Sequence, residues 1–383
     1  MTHGVRIHKV EDKADFKPFF EFPWVLYKDD PNWVPNLLSM RRDLFDKAKN
    51  PAWEYMYGEY FTAWRGDKIV GTIAAFINRR HNEFHQENIG WFGAFEVYDD
   101  QEAAIALLNT AADWVKSQGF NAIRGPQTFT THEEVGLLID GFSPPIILMS
   151  YNPPYYARLI ESAGFSKCMD MFSFSLNRDE VKTSDLFARL ERITQSVMKR
   201  NNITIRPVDS KRLKEEFVLF KDLYNAGWEK NWGFVPMTPK ELDALVASLG
   251  QFFDPKMAFY AYVDEQPAGF IMGLPNFNEV LHKVYPRPGV PEVVSLIKAL
   301  YYWKIKPVMK WARIPLMGVK AEYRNKGVDA AMYFYLLRAI LRETNYFYSD
   351  SGWVLESNTN MVNIAKSFGA HIYKTYRLYE RTL

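Results

Sequence analysis

The sequence predicts an α/β protein of the α+β mixed-sheet kind, with the same fold present twice in tandem. Three observations point there. Short runs alternate apolar and polar residues, as half-buried strands do. Longer runs between them place apolar residues on one helical face. The same order of elements then recurs in the second half of the 383 residues, a length that suits two or three domains at roughly 150 residues each.

The first copy opens on alternation at Val5, Ile7 and Lys9. A helical stretch with Phe16, Phe19, Phe20 and Trp24 follows. Two strand-like runs, Glu59 to Trp64 and Ile69 to Phe76, flank Arg65-Gly66-Asp67-Lys68, a short hairpin signal. Ile89 to Val97 reads as another strand. Gln101 to Gln118 reads as a helix, with Ala104, Leu107, Leu108, Ala111 and Val115 on one face and Gly119 as its stop. A short strand spans Asn121 to Arg124. Asn152-Pro153-Pro154 opens a helix from Tyr155 to Ala163, closed by Gly164.

The second copy starts at Ile203 to Arg206, followed by a helix from Lys211 to Trp228. Strands are expected from Ala258 to Val263, Ala268 to Leu274 and Ile314 to Val319. A helix then carries Ala330, Tyr333, Phe334, Leu337 and Ile340 on one face. Tyr346 to Val354 is a strand, Met361 to Phe368 a helix stopped by Gly369, and Ile372 to Tyr379 a last strand. The expected domains are therefore 1–178 and 203–383. Residues 179–202 join them as a linker or a linking helix, given Leu186, Leu190, Ile193 and Val197 at helical spacing.

An insertion, 275–313, has no counterpart in the first copy. Its helix, Val293 to Lys306, carries Leu296, Ile297, Leu300, Tyr301 and Trp303. From Glu292 to Arg313 the bases Lys298, Lys304, Lys306, Lys310 and Arg313 face only one acid, Glu292. Such a segment is either a helix packed on its own domain with a solvated lysine face or a lipid-facing one, so 292–313 is a possible peripheral membrane contact.

Composition narrows the class. Apolar residues make up 48% and aromatics 16%, enough for well-filled cores. A formal net charge of +2 supplies no field for nucleic acid. One cysteine, Cys168, excludes an internal disulfide framework and fits a reducing compartment. The N-terminus shows no signal-peptide h-region and no run is apolar enough to span a membrane, so the expected location is cytoplasmic. The seven histidines are scattered, and His81 and His85 lack a third ligand nearby, so no metal is expected.

The most informative local signal is the turn Arg324-Asn325-Lys326-Gly327. It follows a strand and enters a helix. A pyrophosphate needs backbone N–H donors and the positive end of a helix dipole, and this arrangement offers both. Gly327 lets the backbone come close, and Arg324 and Lys326 add positive charge.

Val319 to Gly327 resembles the donor-site motif of GNAT acyltransferases, Arg/Gln-x-x-Gly-x-Gly/Ala. Glu356-Ser357-Asn358 and the later Gly369 resemble the family's second segment. The resemblance covers Ile203 to Leu383 by motif and Val5 to Leu176 by element order. It implies two tandem GNAT-like domains and acetyl-CoA or a longer acyl-CoA as co-substrate. The pyrophosphate would sit on the N–H groups of Asn325 to Val328, the acyl-pantetheine arm along the backbone of Met317 and Val319, and its amide on Asn358. Two positions depart from the pattern: Asp329 replaces the motif's last Gly/Ala, and Ala365 stands where members often carry a tyrosine acid.

In the first copy, Val97-Tyr98-Asp99-Asp100-Gln101-Glu102 stands where the turn should be. Its acids repel phosphate, so this half is expected to bind no CoA and to shape the acceptor side. Attack of an amine on a thioester needs a base, oxyanion donors and an acid. Backbone N–H groups near Met317 to Val319 are candidates for the oxyanion. Glu356 is the candidate base or ammonium-binding group, with Asp350 second. Tyr376 or Tyr379 would replace the missing acid. His132, Glu133 and Glu134, in a polar loop, are candidates to receive the acceptor amine.

Gly125 to Leu138, Asn152 to Tyr156 and Tyr373 to Glu380 resemble a bacterial two-domain GNAT subgroup. Bacterial ceramide synthases, which N-acylate a long-chain base, are GNAT-type proteins of similar size. The expected function is acyl transfer from a CoA thioester to an amine acceptor, with a lipid-like long-chain amine as one candidate. Two alternatives stay open. A non-catalytic acyl-CoA sensor would fit Ala365. An aminoacyl-tRNA-dependent transferase would predict a long basic helical arm and no CoA turn.

Overall fold

The computed structural model describes residues 4–183, 185–228, 232–250 and 253–383. Within these residues the strands are β1 (Val5–Lys9), β2 (Met56–Arg65), β3 (Lys68–Asn78), β4 (Ile89–Val97), β5 (Ala122–Gly125), β6 (Leu137–Asp140) and β7 (Ser166–Asn177). They continue with β8 (Ile203–Pro207), β9 (Ala258–Val263), β10 (Gln266–Pro275), β11 (Trp311–Val319), β12 (Tyr348–Leu355) and β13 (His371–Thr382). Two compact units share them. The first holds Met1–Met171, Val280–Pro307 and Lys374–Leu383. The second holds Phe172–Glu279 and Val308–Tyr373.

In the first unit β1 to β4 pair antiparallel in chain order, and β4 pairs parallel with β5. A parallel step needs a crossover, and the helix Gln101–Ser117 supplies it. The five residues assigned to its inner face are fully buried. The β2–β3 hairpin closes where expected, with Arg65 opposite Lys68 and Gly66 left-handed at φ 61°. Residues of β13 from Lys374 onward belong to this unit, pairing with β5 and β6.

The second unit repeats the plan. Strands β8 to β11 pair antiparallel in chain order, and β11 pairs parallel with β12 through the helix Val328–Glu343. One core lies under that helix, around Met332, Leu336 and Ile340. Another lies under Leu213–Trp228, around Phe220, Leu223 and Tyr224. Both copies thus form mixed α/β layers, as the sequence predicts.

Several elements were not anticipated. The 12-residue strand β7 carries buried Asp170, Ser173 and Ser175, which blur its alternation. Asp170 is held by Arg377, at 2.7 and 3.0 Å. Helices Leu38–Phe45, Arg79–His85 and Asn278–Val284 are only seven or eight residues long, whereas Pro239–Gly250 carries a readable stripe in Leu242, Leu245 and Val246. The stretch 179–202 is largely helical. Leu186–Arg200 packs Phe187 on Phe334 and buries Leu190. Of the insertion, residues 280–307 group with the first unit as the helix Glu292–Leu300 and a π-helical turn, Tyr301–Ile305.

Candidate functional site

The second unit opens where two strands part. β11 pairs with β10 at Ala312 and Arg313 and again from Leu316 to Val319, with a register shift between, yet with β12 only at Trp311, Ala312 and Arg313, opposite Tyr348, Ser349 and Asp350. Pro315, two residues further, has no N–H for a ladder bond. Arg313 reaches across instead, donating to the carbonyl of Gly352 from Nη2 at 2.9 Å and Nε at 3.3 Å. An added Cβ at Gly352 would meet Ser173 Oγ at 2.1 Å, so a larger residue there would have to displace Ser173. The gap beyond is a cleft of about 500 Å³. Pro315, Met317 and Val319 line one wall, and Ser351 to Leu355 the other. Strand edges facing such a gap offer N–H and C=O groups to an extended ligand that carries amides.

The predicted turn closes one end of the cleft. Asn325 and Gly327 are both left-handed, at φ 62° and 80°. Alternating handedness of this kind gathers successive N–H groups on one concave side. Gly327 is the N-cap of the 16-residue helix Val328–Glu343 and makes no side-chain cap bond, so the first-turn N–H groups and the dipole face this end. Arg324 is anchored rather than mobile: Nε donates to Val319 O at 3.2 Å and Nη2 to Gly227 O at 3.1 Å. Arg324 and Asn325 both line the cleft. Lys326 lies over the Tyr323 ring, 5.2 Å from its centroid. Asp329 also lines the cleft; its carboxylate accepts from Ala330 N at 2.9 Å and Asn360 Nδ2 at 3.3 Å. Asn358 lines the cleft and caps the helix Thr359–Ser367, its Oδ1 accepting from Met361 N at 3.2 Å.

The same place in the first unit is filled. Gln127 N donates to Phe92 O at 3.0 Å, and an added Cβ at Gly93 would meet Gln127 O at 1.9 Å. The helix Gln101–Ser117 has its N-terminus capped from within, by Asp100 accepting from Ala103 N at 3.1 Å. Arg65 binds Asp100 and Glu102 at 2.8 Å each.

Known proteins resemble this chain in sequence and in fold. No family model matches the chain. It is 35% identical over 376 residues to Protein YghO of Escherichia coli (strain K12), covering 97% of this chain and 94% of that one. It is 32% identical over 382 residues to the Bacterial ceramide synthase of Caulobacter vibrioides (strain NA1000 / CB15N), covering 98% and 96%. In fold it is similar to a tandem GNAT protein from the clavulanic acid biosynthesis pathway, with a TM-score of 0.53, 10% identity, and 99% and 98% of the two chains covered. The chain belongs to the family of these two relatives, and its fold is that of a tandem GNAT protein.

The parted strands and the left-handed turn leave room for an extended ligand that carries amides at one end and phosphates at the other. Sequence reasoning missed one polar pair in the cleft. Tyr333 O–H lies 2.6 Å from Ser351 Oγ, and both residues line the cavity. Burial, with Asp350 beside it and Ser351 opposing, pushes the Tyr333 phenol up to about 12, so it is a standing donor. The strand run to Ser351 and the inward period of the helix were visible in sequence, but not their meeting.

The other candidates are dispersed. Glu356 is half-buried just past β12; its neighbours Leu355 and Ser357 line the cleft. Asp350 is fully buried with Arg313 (3.5 Å) and Tyr373 (2.8 Å) and is not among the lining residues. Tyr376 is fully buried in the first unit, opposite Leu138. His132, Glu133 and Glu134 sit in the first unit's loop after β5. There His132 N donates to Thr130 Oγ1 at 3.3 Å, Thr130 N to Glu133 at 3.4 Å, and Thr128 N to Glu134 O at 2.8 Å. Among the described residues, no group of three or more His, Cys, Asp and Glu is placed to hold a metal. His81 instead pairs with Glu87 at 2.8 Å.

Near Glu134 the first unit holds an unusual carboxylate. Glu96 on β4 accepts from Tyr27 O–H at 2.6 Å and Tyr156 O–H at 2.9 Å. Burial pushes its pKa up from 4.5 to about 7, against those hydroxyls and Arg41, with Glu134 adding to the rise. The folded state therefore holds a proton that the unfolded chain releases between these values. Stability is full below the unfolded pKa and falls as pH rises through about 7, by about 3 kcal/mol in all. Glu96→Gln is expected to remove most of this slope. Urea midpoints at about pH 5 and pH 8 test it, and an unchanged slope would refute it.

Proposed function

We propose that this enzyme transfers an acyl group from a CoA thioester to a long-chain, lipid-like amine. The observation that carries the donor half is the parting of β11 from β12 above a left-handed turn that opens a helix. The similarity to a protein named Bacterial ceramide synthase supports a lipid-like acceptor.

In this reading the N–H groups of Asn325 to Val328 bind the pyrophosphate, with Arg324 and Lys326 beside them. The edges of β11 at Met317 and Val319 pair with the pantetheine amides, and Asn358 bonds an amide at the far wall. The amine nitrogen attacks the thioester carbonyl carbon. A C–N bond forms as the C–S bond breaks. The ammonium proton passes to a base, for which Glu356 is the proposed group, and the thiolate takes a proton from a donor. Tyr333 with Ser351 is the hydroxyl pair proposed to stabilise the oxyanion or the leaving thiolate. The first unit, its equivalent gap filled, serves the acceptor side through the loop that carries His132, Glu133 and Glu134, with Tyr376 behind it.

Calorimetry with CoA and acyl-CoAs of increasing length tests the donor half; no binding would overturn it. Thiol release in the presence of long-chain amino alcohols tests the acceptor half; CoA binding without release for any such amine would overturn that half alone. Tyr333→Phe is expected to lower kcat about a hundredfold, with the Kd for CoA little changed. An unaltered kcat would remove Tyr333 from the mechanism.

A further inference from the structure

The helix Glu292–Leu300 of the first unit is turned inside out. Its buried residues are the small ones, Ser295 and Ala299. Its large apolar residues face solvent: Ile297 is 64% exposed, Val293 58%, Leu300 55% and Leu296 49%. At about 3.6 residues per turn these four share the arc opposite Ser295 and Ala299. The following π-helical turn extends the face with Tyr301 and with Ile305, 73% exposed.

This face is held, not frayed. Glu292 accepts from Ser39 N at 2.8 Å and from the Ser39 hydroxyl. Trp24 Nε1 donates to Pro286 O at 2.7 Å, and His282 Nε2 lies 2.9 Å from Pro31 O. Met40, next to Ser39, is also exposed. Contiguous apolar surface of this kind marks an interaction site.

Charge decides what covers it. Lys298, Lys304 and Lys306 are exposed along the same segment. Its one acid, Glu292, is engaged by Ser39. Helix and turn together span roughly 20 Å at about 1.5 Å per residue, short of a hydrocarbon core of about 30 Å. Among the described residues, no helix is long and apolar enough to cross a membrane.

We propose that this face docks on an anionic lipid surface. Leu296, Ile297, Leu300 and Ile305 enter the boundary between headgroups and acyl chains, and the three lysines meet lipid phosphates. The proposal stands on the face itself and does not depend on which amine is acylated.

Sedimentation of the full chain with vesicles of equimolar phosphatidylglycerol and phosphatidylcholine, or of phosphatidylcholine alone, tests it. Wild type is expected to bind the anionic vesicles at least about tenfold more tightly than the neutral ones. Ile297→Asp/Leu300→Asp is expected to lose binding to both. Lys298→Glu/Lys304→Glu/Lys306→Glu is expected to lose the anionic preference. Both variants change exposed residues, and CoA calorimetry reports whether they fold. Wild type that stays in the supernatant, or an Ile297→Asp/Leu300→Asp variant that binds equally, would overturn the proposal. So would a wild-type dimer that this variant dissociates, since a second copy would then cover the face.

Discussion

Gly327→Ala is expected to weaken CoA binding at least about tenfold and to destabilise the fold by about 2–4 kcal/mol. Two effects combine. At φ 80° an alanine meets the left-handed penalty that glycine escapes, and its Cβ would stand 2.6 Å from Val197 Cγ1. That Cβ points at the helix Leu186–Arg200 and not at the donor. Affinity is therefore lost through the backbone: leaving the left-handed region turns the N–H groups of the turn away from the phosphates. The companion variant Val197→Ala/Gly327→Ala relieves the clash but keeps the strain. It should recover part of the urea midpoint and little of the affinity. Lys326→Ala removes a surface charge only and is expected to weaken binding about threefold, an effect that fades with salt. Calorimetry with urea unfolding separates these cases. Wild-type affinity in Gly327→Ala would mean that the pyrophosphate does not sit on this turn.

Legibility in sequence followed the locality of the physics. The turn at Arg324 to Gly327, the hairpin at Arg65 to Lys68 and the helix Gln101–Ser117 are each set by neighbours a few residues apart, and each stands where the sequence placed it. The strand β7 escaped because its buried Asp170 is held by Arg377, two hundred residues on, as well as by the nearby Lys167. The apex of the cleft was half legible. Pro315 inside a strand is a readable signal for broken pairing, whereas the reach of Arg313 to Gly352 is not. Tyr333 was assigned to a core face, correctly by burial, but its bond to Ser351 needs the two strands of the cleft to be placed first. In the insertion the apolar period was plain. Which side it buries was not, because the contact runs through Ser295 and Ala299.

Asp350→Ala is expected to destabilise the protein by about 3–5 kcal/mol. Asp350 is fully buried, and Arg313 beside it is 3% exposed. Removing the carboxylate takes from the buried guanidinium an opposite charge 3.5 Å away, and takes the acceptor from Tyr373 O–H, now at 2.8 Å. A pair removed together behaves differently. Arg313→Met/Asp350→Leu should regain much of the loss, though not all, since Gly352 O then loses the donor that Arg313 supplies at 2.9 Å. This cycle tells a structural Asp350 from a substrate-binding one. A residue that received the acceptor ammonium would show its effect in the KM for the amine, with the urea midpoint held. A midpoint for Asp350→Ala within about 0.5 kcal/mol of wild type would sink the structural reading. The same pair is the last rung joining β11 to β12 before they part. Loosening it should therefore widen the apex and lower CoA affinity in proportion to the lost stability, which links the cleft's shape to one buried charge.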